Sequence, residues 1–268
     1  MNIRFFCPKW GLESLSFAEA AQKVKAAGYD GMEIAAAPAQ SAEAIRIMRE
    51  HDLDTILMAF GGSENFVEHK AKFKDDLQQI AAAKPLFINS HTGKDYFSYE
   101  QNCELIQVAF EVEKSTGVKI LHETHRGRFT YSCPATQHYF VSFPKLRLTA
   151  DFSHWVNVSE SLLTDQAENM ERAIRHSDHI HSRIGHPEGP QVNDPRAPEW
   201  KSCVEAHLAW WDKIVALHRQ KGSASLTITS EFGPAPGYLP TLPFTNLPVA
   251  SQWDINVYMK NLLKERYK

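Results

Sequence analysis

Eight short β-rich or apolar runs, with mainly helical segments between them, set the tightest limit on what this chain can become. The runs fall at 3–6, 31–34, 55–59, 86–89, 119–122, 147–150, 179–182 and 226–230. Between the first two, Phe17, Ala20, Ala21, Val24 and Ala27 repeat at helical spacing, with Ser16 placed to cap the start and Gly28 to stop the end. Phe66, Phe73, Leu77 and Ile80 mark a second helical stripe, and Val204, Leu208, Trp211, Val215 and His218 a third. A last helix is expected from about Asp254. Strict alternation of this kind demands parallel strands, because a parallel neighbour can be reached only by a crossover of a dozen residues or more. Eight units in 268 residues predict an α/β fold, a single closed (β/α)8 barrel spanning 1–268. An open, doubly wound sheet would carry a glycine-rich first turn, and the first turn here reads CPKWG. No repeat motif or low-complexity linker marks a second domain.

Composition narrows the function. An apolar content of 43% supports a sizeable core, and a net charge of −3 offers no electrostatic footprint for nucleic acid or an anionic membrane. The four cysteines, Cys7, Cys103, Cys133 and Cys203, form no CxxC pair and read as reduced thiols. The opening MNIRFFCPKWG lacks the apolar core of a secretory leader, and no apolar run approaches the roughly 20 residues of a membrane span. The expectation is a cytoplasmic protein with neither a nucleic-acid nor a membrane partner; association into a homo-oligomer is left open.

Four residues in the second half of the chain carry the chemistry. Glu123 ends KILHE, Asp151 ends LRLTAD, a histidine of HIH ends the seventh run, and Glu231 follows LTITS. Alternation along a strand points Leu121, Glu123 and His125 one way, and likewise Thr149 with Asp151, His179 with His181, and Thr229 with Glu231. Residues at the same end of successive parallel strands converge in a barrel, so three carboxylates and an imidazole meet at one mouth. They would repel one another unless a cation sat between them, and one cation accounts for all three buried acids better than three unrelated ion pairs. Oxygen-rich ligation with one imidazole suits Mn²⁺, Mg²⁺, Co²⁺ or Zn²⁺. Two stretches, 185–199 and 233–248, are longer than ordinary barrel loops and follow the seventh and eighth strands at this same face.

HETH after the fifth strand, ADFSH after the sixth, the strand-seven histidine and SEFGP after the eighth resemble the xylose-isomerase-like TIM-barrel superfamily, in particular its sugar isomerase/epimerase branch. The resemblance implies that Glu123, Asp151, His181 and Glu231 bind one divalent metal ion, with Glu123 and Glu231 also acting as acid and base on a small carbohydrate. The preference for His181 over His179 comes from the resemblance alone. His154, three residues after Asp151, matches a position that contacts substrate oxygen in that branch. His91 and Arg183 are further substrate-binding candidates, and Trp10 and Trp155 lie where an aromatic ring could stack on a sugar. His122 is expected to face the helices. A dehydratase on the same scaffold would use the same enolate chemistry. An endonuclease-IV-like nuclease would want a histidine at the third strand end, which here reads AFGGS.

Overall fold

The computed structural model describes residues 1–268 and closes into a barrel of eight parallel strands in the order β1 to β8, with β1 paired to β8. The strands are β1 Asn2–Pro8, β2 Gly31–Ile34, β3 Asp54–Phe60, β4 Ile88–His91, β5 Ile120–Glu123, β6 Leu148–Ala150, β7 Ser177–His181 and β8 Ser225–Thr229. Every expected strand is present, with ends displaced by up to two residues. The fourth is displaced most, and this brings His91 onto the strand itself. Nine α-helices surround them: α1 Phe17–Ala26, α2 Ser41–Glu50, α3 Phe66–Ala82, α4 Tyr99–Thr116, α5 Cys133–Ser142, α6 Phe152–Val158, α7 Ala167–His176, α8 Lys201–Gln220 and α9 Gln252–Arg266.

Local signals act where the chain places them. Ser16 and Glu19 form a reciprocal capping box at the start of α1, satisfying backbone N–H groups that a helix start leaves open. Gly28, just past the end of α1, takes a left-handed φ of 74° that a side chain would disfavour. In α8 the buried face is rotated from the expected stripe: Trp211, Val215 and His218 are buried, but His207, Trp210 and Ile214 complete the face while Val204 and Leu208 sit at its edge. All four cysteines are free. No helix is long and apolar enough to cross a membrane.

The inside of the barrel is layered. Phe6, Ile56, Phe87 and Leu121 form a separate apolar cluster, three of them inward residues of the odd-numbered strands β1, β3 and β5. Glu33 on β2, Asn89 on β4 and Thr229 on β8 are fully buried and joined by hydrogen bonds, so the even-numbered strands supply a polar layer. The register slips between Leu148 and Thr149 where β6 meets β7, a bulge at the edge of this layer.

Candidate metal centre

Glu123 is the last residue of β5 and His181 the last of β7; Asp151 directly follows β6 and caps α6, and Glu231 lies two residues beyond β8. One ligand atom from each of these four lies within 4.8 Å of the others. Their exposures are 1% for Glu123, 0% for Asp151 and His181, and 6% for Glu231. Three of the atoms, Oε1 of Glu123, Nδ1 of His181 and Oε2 of Glu231, are buried without a hydrogen-bond partner. A buried polar atom left unpaired costs about 1–3 kcal/mol, so three at one place call for a shared partner. Nδ1 of His181 is 3.2 Å from Glu231 and 3.7 Å from Glu123. Carboxylates and one imidazole are donors that a divalent cation accepts, and their convergence fits one ion.

The opposite side of His181 is held by a residue that the strand-end pattern did not single out. Glu33 lies 3.0 and 3.1 Å from Nε2 of His181 through its two oxygens, and also accepts from Asn89 and Thr229. An Nε2–H donated to Glu33 leaves the Nδ1 lone pair directed at the three acids, the tautomer a metal-binding histidine needs. His179 is committed elsewhere. Its Nδ1 meets the backbone oxygen and hydroxyl of Thr227, and its Nε2 meets Thr229 and, at 3.4 Å, Glu33. Geometry thus separates two histidines that the sequence pattern alone left equivalent. The available signal for Glu33 was a lone carboxylate between Met32 and Ile34 in a strand buried on both faces, where an unpaired charge is not tolerated.

Arg183 is the fixed cation of the mouth and is only 1% exposed. It donates to Asp151 Oδ2 at 2.5 Å and to Ser153 Oγ at 3.1 Å, and its Nη2 lies 2.6 Å from His154 Nε2. Asp151 Oδ1 accepts from the Ser153 amide and hydroxyl. Asp151 therefore differs from the other three members of the cluster in having both oxygens engaged. Gly185 permits this arrangement, since a Cβ there would stand 2.7 Å from the Ser153 backbone oxygen and push the loop after β7 away from α6.

Charge on charge governs protonation here. Burial disfavours a charged His181 ring, but Glu33, Glu231 and Glu123 together hold its pKa well above the ordinary histidine range. Burial pushes the Asp151 carboxyl up, Arg183 pulls it back, and Glu231 and Glu123 add to the rise. Glu123 is held well below its ordinary range, because His91 and His181 outweigh its burial. A divalent ion would take over the role of the His181 proton.

Three further histidines, His91, His125 and His154, line the same mouth. His91 Nε2 is 2.9 Å from Glu123 Oε2, and the His91 and His125 rings are 4.4 Å apart. His154 is fully buried, with Nδ1 unpartnered and its ring 3.9 Å from that of His125. His122 points to the helix side, against Thr92 Oγ1 at 2.7 Å and the Phe129 ring, and burial lowers its pKa to about 3. Trp10 stands 6.5 Å from His181 at the rim. Trp155 is core, fully buried and donating to the Thr130 carbonyl at 2.7 Å.

The two long loops are tied together above the site. The Gln191 side chain accepts from the Gly233 amide at 2.7 Å and donates to the Gly233 carbonyl at 3.2 Å. A cleft of about 940 Å³ between Gly11, Pro234, Leu239 and Trp253 opens beside this tie, on the β1 side, and neither His181 nor any of the three clustered acids lies on its wall.

No family model matches this chain, and no curated protein matches its sequence. Solved structures do match over nearly its whole length. A 3-keto-D-glucoside 4-epimerase from E. coli is 12% identical with a TM-score of 0.67, the alignment covering 98% of this chain and 100% of that one. A probable 3-DHS dehydratase from Bacillus anthracis is 15% identical with a TM-score of 0.63, covering 98% and 99%. Endonuclease IV from Thermus thermophilus is 14% identical with a TM-score of 0.60, covering 98% and 99%. The fold is that of xylose isomerase-like TIM barrel proteins. At such identities the likeness establishes architecture, and three different activities share it.

Proposed function

We propose that this chain is a divalent-metal-dependent sugar isomerase or epimerase in which Glu123, Asp151, His181 and Glu231 hold one ion, while Glu123 and Glu231 move the proton. The observation that carries this reading is the meeting of three buried, unpartnered ligand atoms, from Glu123, His181 and Glu231, beside Asp151. The ion, when bound, supplies Lewis acidity at a substrate carbonyl and the adjacent hydroxyl.

The rest of the work falls to the chain. Glu123, kept ionised by His91 and His181 against its burial, is in the deprotonated state that accepting a carbon-bound proton requires. Glu231 reaches the same space from a strand three places further round the barrel, so a proton can leave one face of a carbon and return to another. Asp151 and His181 serve as ligands only, the first oriented by Ser153 and Arg183 and the second by Glu33. His154, His91 and Arg183 surround the cluster with ring nitrogens and a guanidinium suited to sugar hydroxyls.

A second reading, dehydration of an inosose- or dehydroshikimate-type substrate, uses the same acid–base pair and differs only in whether a hydroxyl leaves. A nuclease is disfavoured by the net charge of −3 and by Phe60 and Gly61 at the end of β3, where no histidine stands.

The deciding experiment incubates the Mn²⁺-loaded protein with a panel of ketoses and inososes in D2O and follows α-proton exchange by NMR. Exchange into a ketose is expected, and Glu231→Gln is expected to slow it by about 10²–10⁴-fold. Undiminished exchange in Glu231→Gln would remove Glu231 as a base. An elimination product in place of exchange would favour the dehydratase.

A further inference from the structure

The two oxygens of Glu123 face different neighbours. Oε1 is unpartnered and belongs with the cluster around His181, whereas Oε2 is 2.9 Å from Nε2 of His91. His91, Glu123 and His125 make a cluster of their own, one ligand atom from each lying within 4.8 Å of the others. His125 lies in the loop two residues beyond the end of β5, and its Nδ1 lies 2.5 Å from the Arg126 carbonyl. A proton on Nδ1, donated to that carbonyl, leaves Nε2 of His125 with a free lone pair. His91 is only 7% exposed, and its second ring nitrogen has no partner. Its ring is braced edge-on by Phe60 at 4.8 Å, and the His125 ring is braced by His154 at 3.9 Å. Nothing in the acid–base scheme uses His125.

We propose that His91, Glu123 and His125 form a second cation site beside the first, sharing Glu123 as a bridge. Its chemistry differs from that of its neighbour. Two imidazoles and one carboxylate favour Zn²⁺, while the oxygen-rich first cluster accepts Mn²⁺ or Mg²⁺ as readily. Three protein ligands also leave a coordination position open. An ion in this second site engages Oε2 of Glu123 and pins the carboxylate between two cations, where it no longer accepts a proton from substrate. Zn²⁺ at the second site is therefore inhibitory. The inhibitory half of the proposal rests on the acid–base role assigned to Glu123 above; the site itself does not.

Counting ions tests both. Chelator-stripped protein is dialysed against Zn²⁺, and bound zinc per chain is measured for wild type, His125→Ala and Glu231→Gln, with His125→Gln replacing the alanine variant should that fail to fold. Two ions in wild type, one in the His125 variant and one in Glu231→Gln support two sites. One ion in wild type that disappears with His125 replaced but survives Glu231→Gln supports the second site and removes the first. Two ions surviving replacement of His125, or a single wild-type ion indifferent to it, overturn the proposal. With Mn²⁺-loaded wild type, one added zinc equivalent, taken up at the second site, is expected to cut turnover at least tenfold. Undiminished turnover at full double occupancy overturns the inhibitory half.

Discussion

Strand β7 begins at one face of the barrel and ends at the other, and its two ends handle charge by opposite means. At the floor, Asp178 is held by Arg147 and Lys119, with His218 3.6 Å away, and both cations reach solvent. At the mouth, His181 is fully buried among Glu33, Glu123 and Glu231, and its Nδ1 has no hydrogen-bond partner. The floor end of β7 balances its one carboxylate with side-chain cations already in the chain. The mouth has four buried carboxylates, Glu33, Glu123, Asp151 and Glu231, against one permanent cation, Arg183. A charge deficit that the chain does not close itself is the mark of a surface built for something else to bind, whereas the closed account at the floor serves stability.

The comparison breaks most visibly if the mouth does not depend on an ion. Chelation is expected to abolish turnover and to remove about 2.7 kcal/mol of stability from protein held at a hundredfold excess of metal over Kd. For a chain of this size that is a fall of roughly 5–10 °C in melting temperature. Identical melting curves with and without chelator, together with no bound metal after reconstitution, would sink the metal reading.

A smaller effect tests the support beneath the site. Glu33→Gln keeps an acceptor for His181 Nε2 but removes the charge that makes Nδ1 a better ligand, and metal affinity is expected to fall about 10–100-fold. Titration calorimetry with Mn²⁺ measures it; unchanged affinity would reduce Glu33 to a filler of the barrel.

The least dramatic change falls at the floor and affects stability alone. Burial would raise the Asp178 carboxyl, but the Arg147 hydrogen bond, the Arg147 charge and that of Lys119 bring it down to about 2. A carboxylate with a depressed folded-state pKa adds stability that is present above its unfolded value of about 3.9 and lost as pH falls toward the folded one. Asp178→Asn is expected to cost on the order of 2 kcal/mol at pH 7. The deficit should close by about pH 2, and kcat/KM should stay unchanged throughout. A pH-independent deficit, or lost turnover, would erase the contrast between the two ends.

Much of this architecture is legible from residue order. Short-range signals such as the Ser16 cap, the Gly28 stop and the strand runs act within a few residues, so periodicity and capping rules reach them. The convergence of Glu123, Asp151, His181 and Glu231 is equally accessible, because a closed parallel barrel brings all strand ends of one face together. What escapes is contact between layers. Glu33 touches His181 across 148 positions of sequence, and nothing local in GMEI announces it except the oddity of a buried acid. The rotation of the α8 face has the same origin: that His207, Trp210 and Ile214 join Trp211 on the buried face, in place of Val204 and Leu208, depends on the strands beneath, not on the helix. The resemblance alone preferred His181 over His179; a physical reason for that preference needs the contacts of Thr227 and Thr229, which already occupy both nitrogens of His179.

The Gln191–Gly233 tie has an evolutionary consequence. Because one amide side chain satisfies both backbone groups of Gly233, the chain up to that glycine is anchored independently of the fifteen residues at 234–248. Insertions, deletions or new side chains beyond Gly233 can therefore reshape the rim while Glu231 keeps its place. Editing that rim would change what can enter the mouth without moving the strand ends underneath.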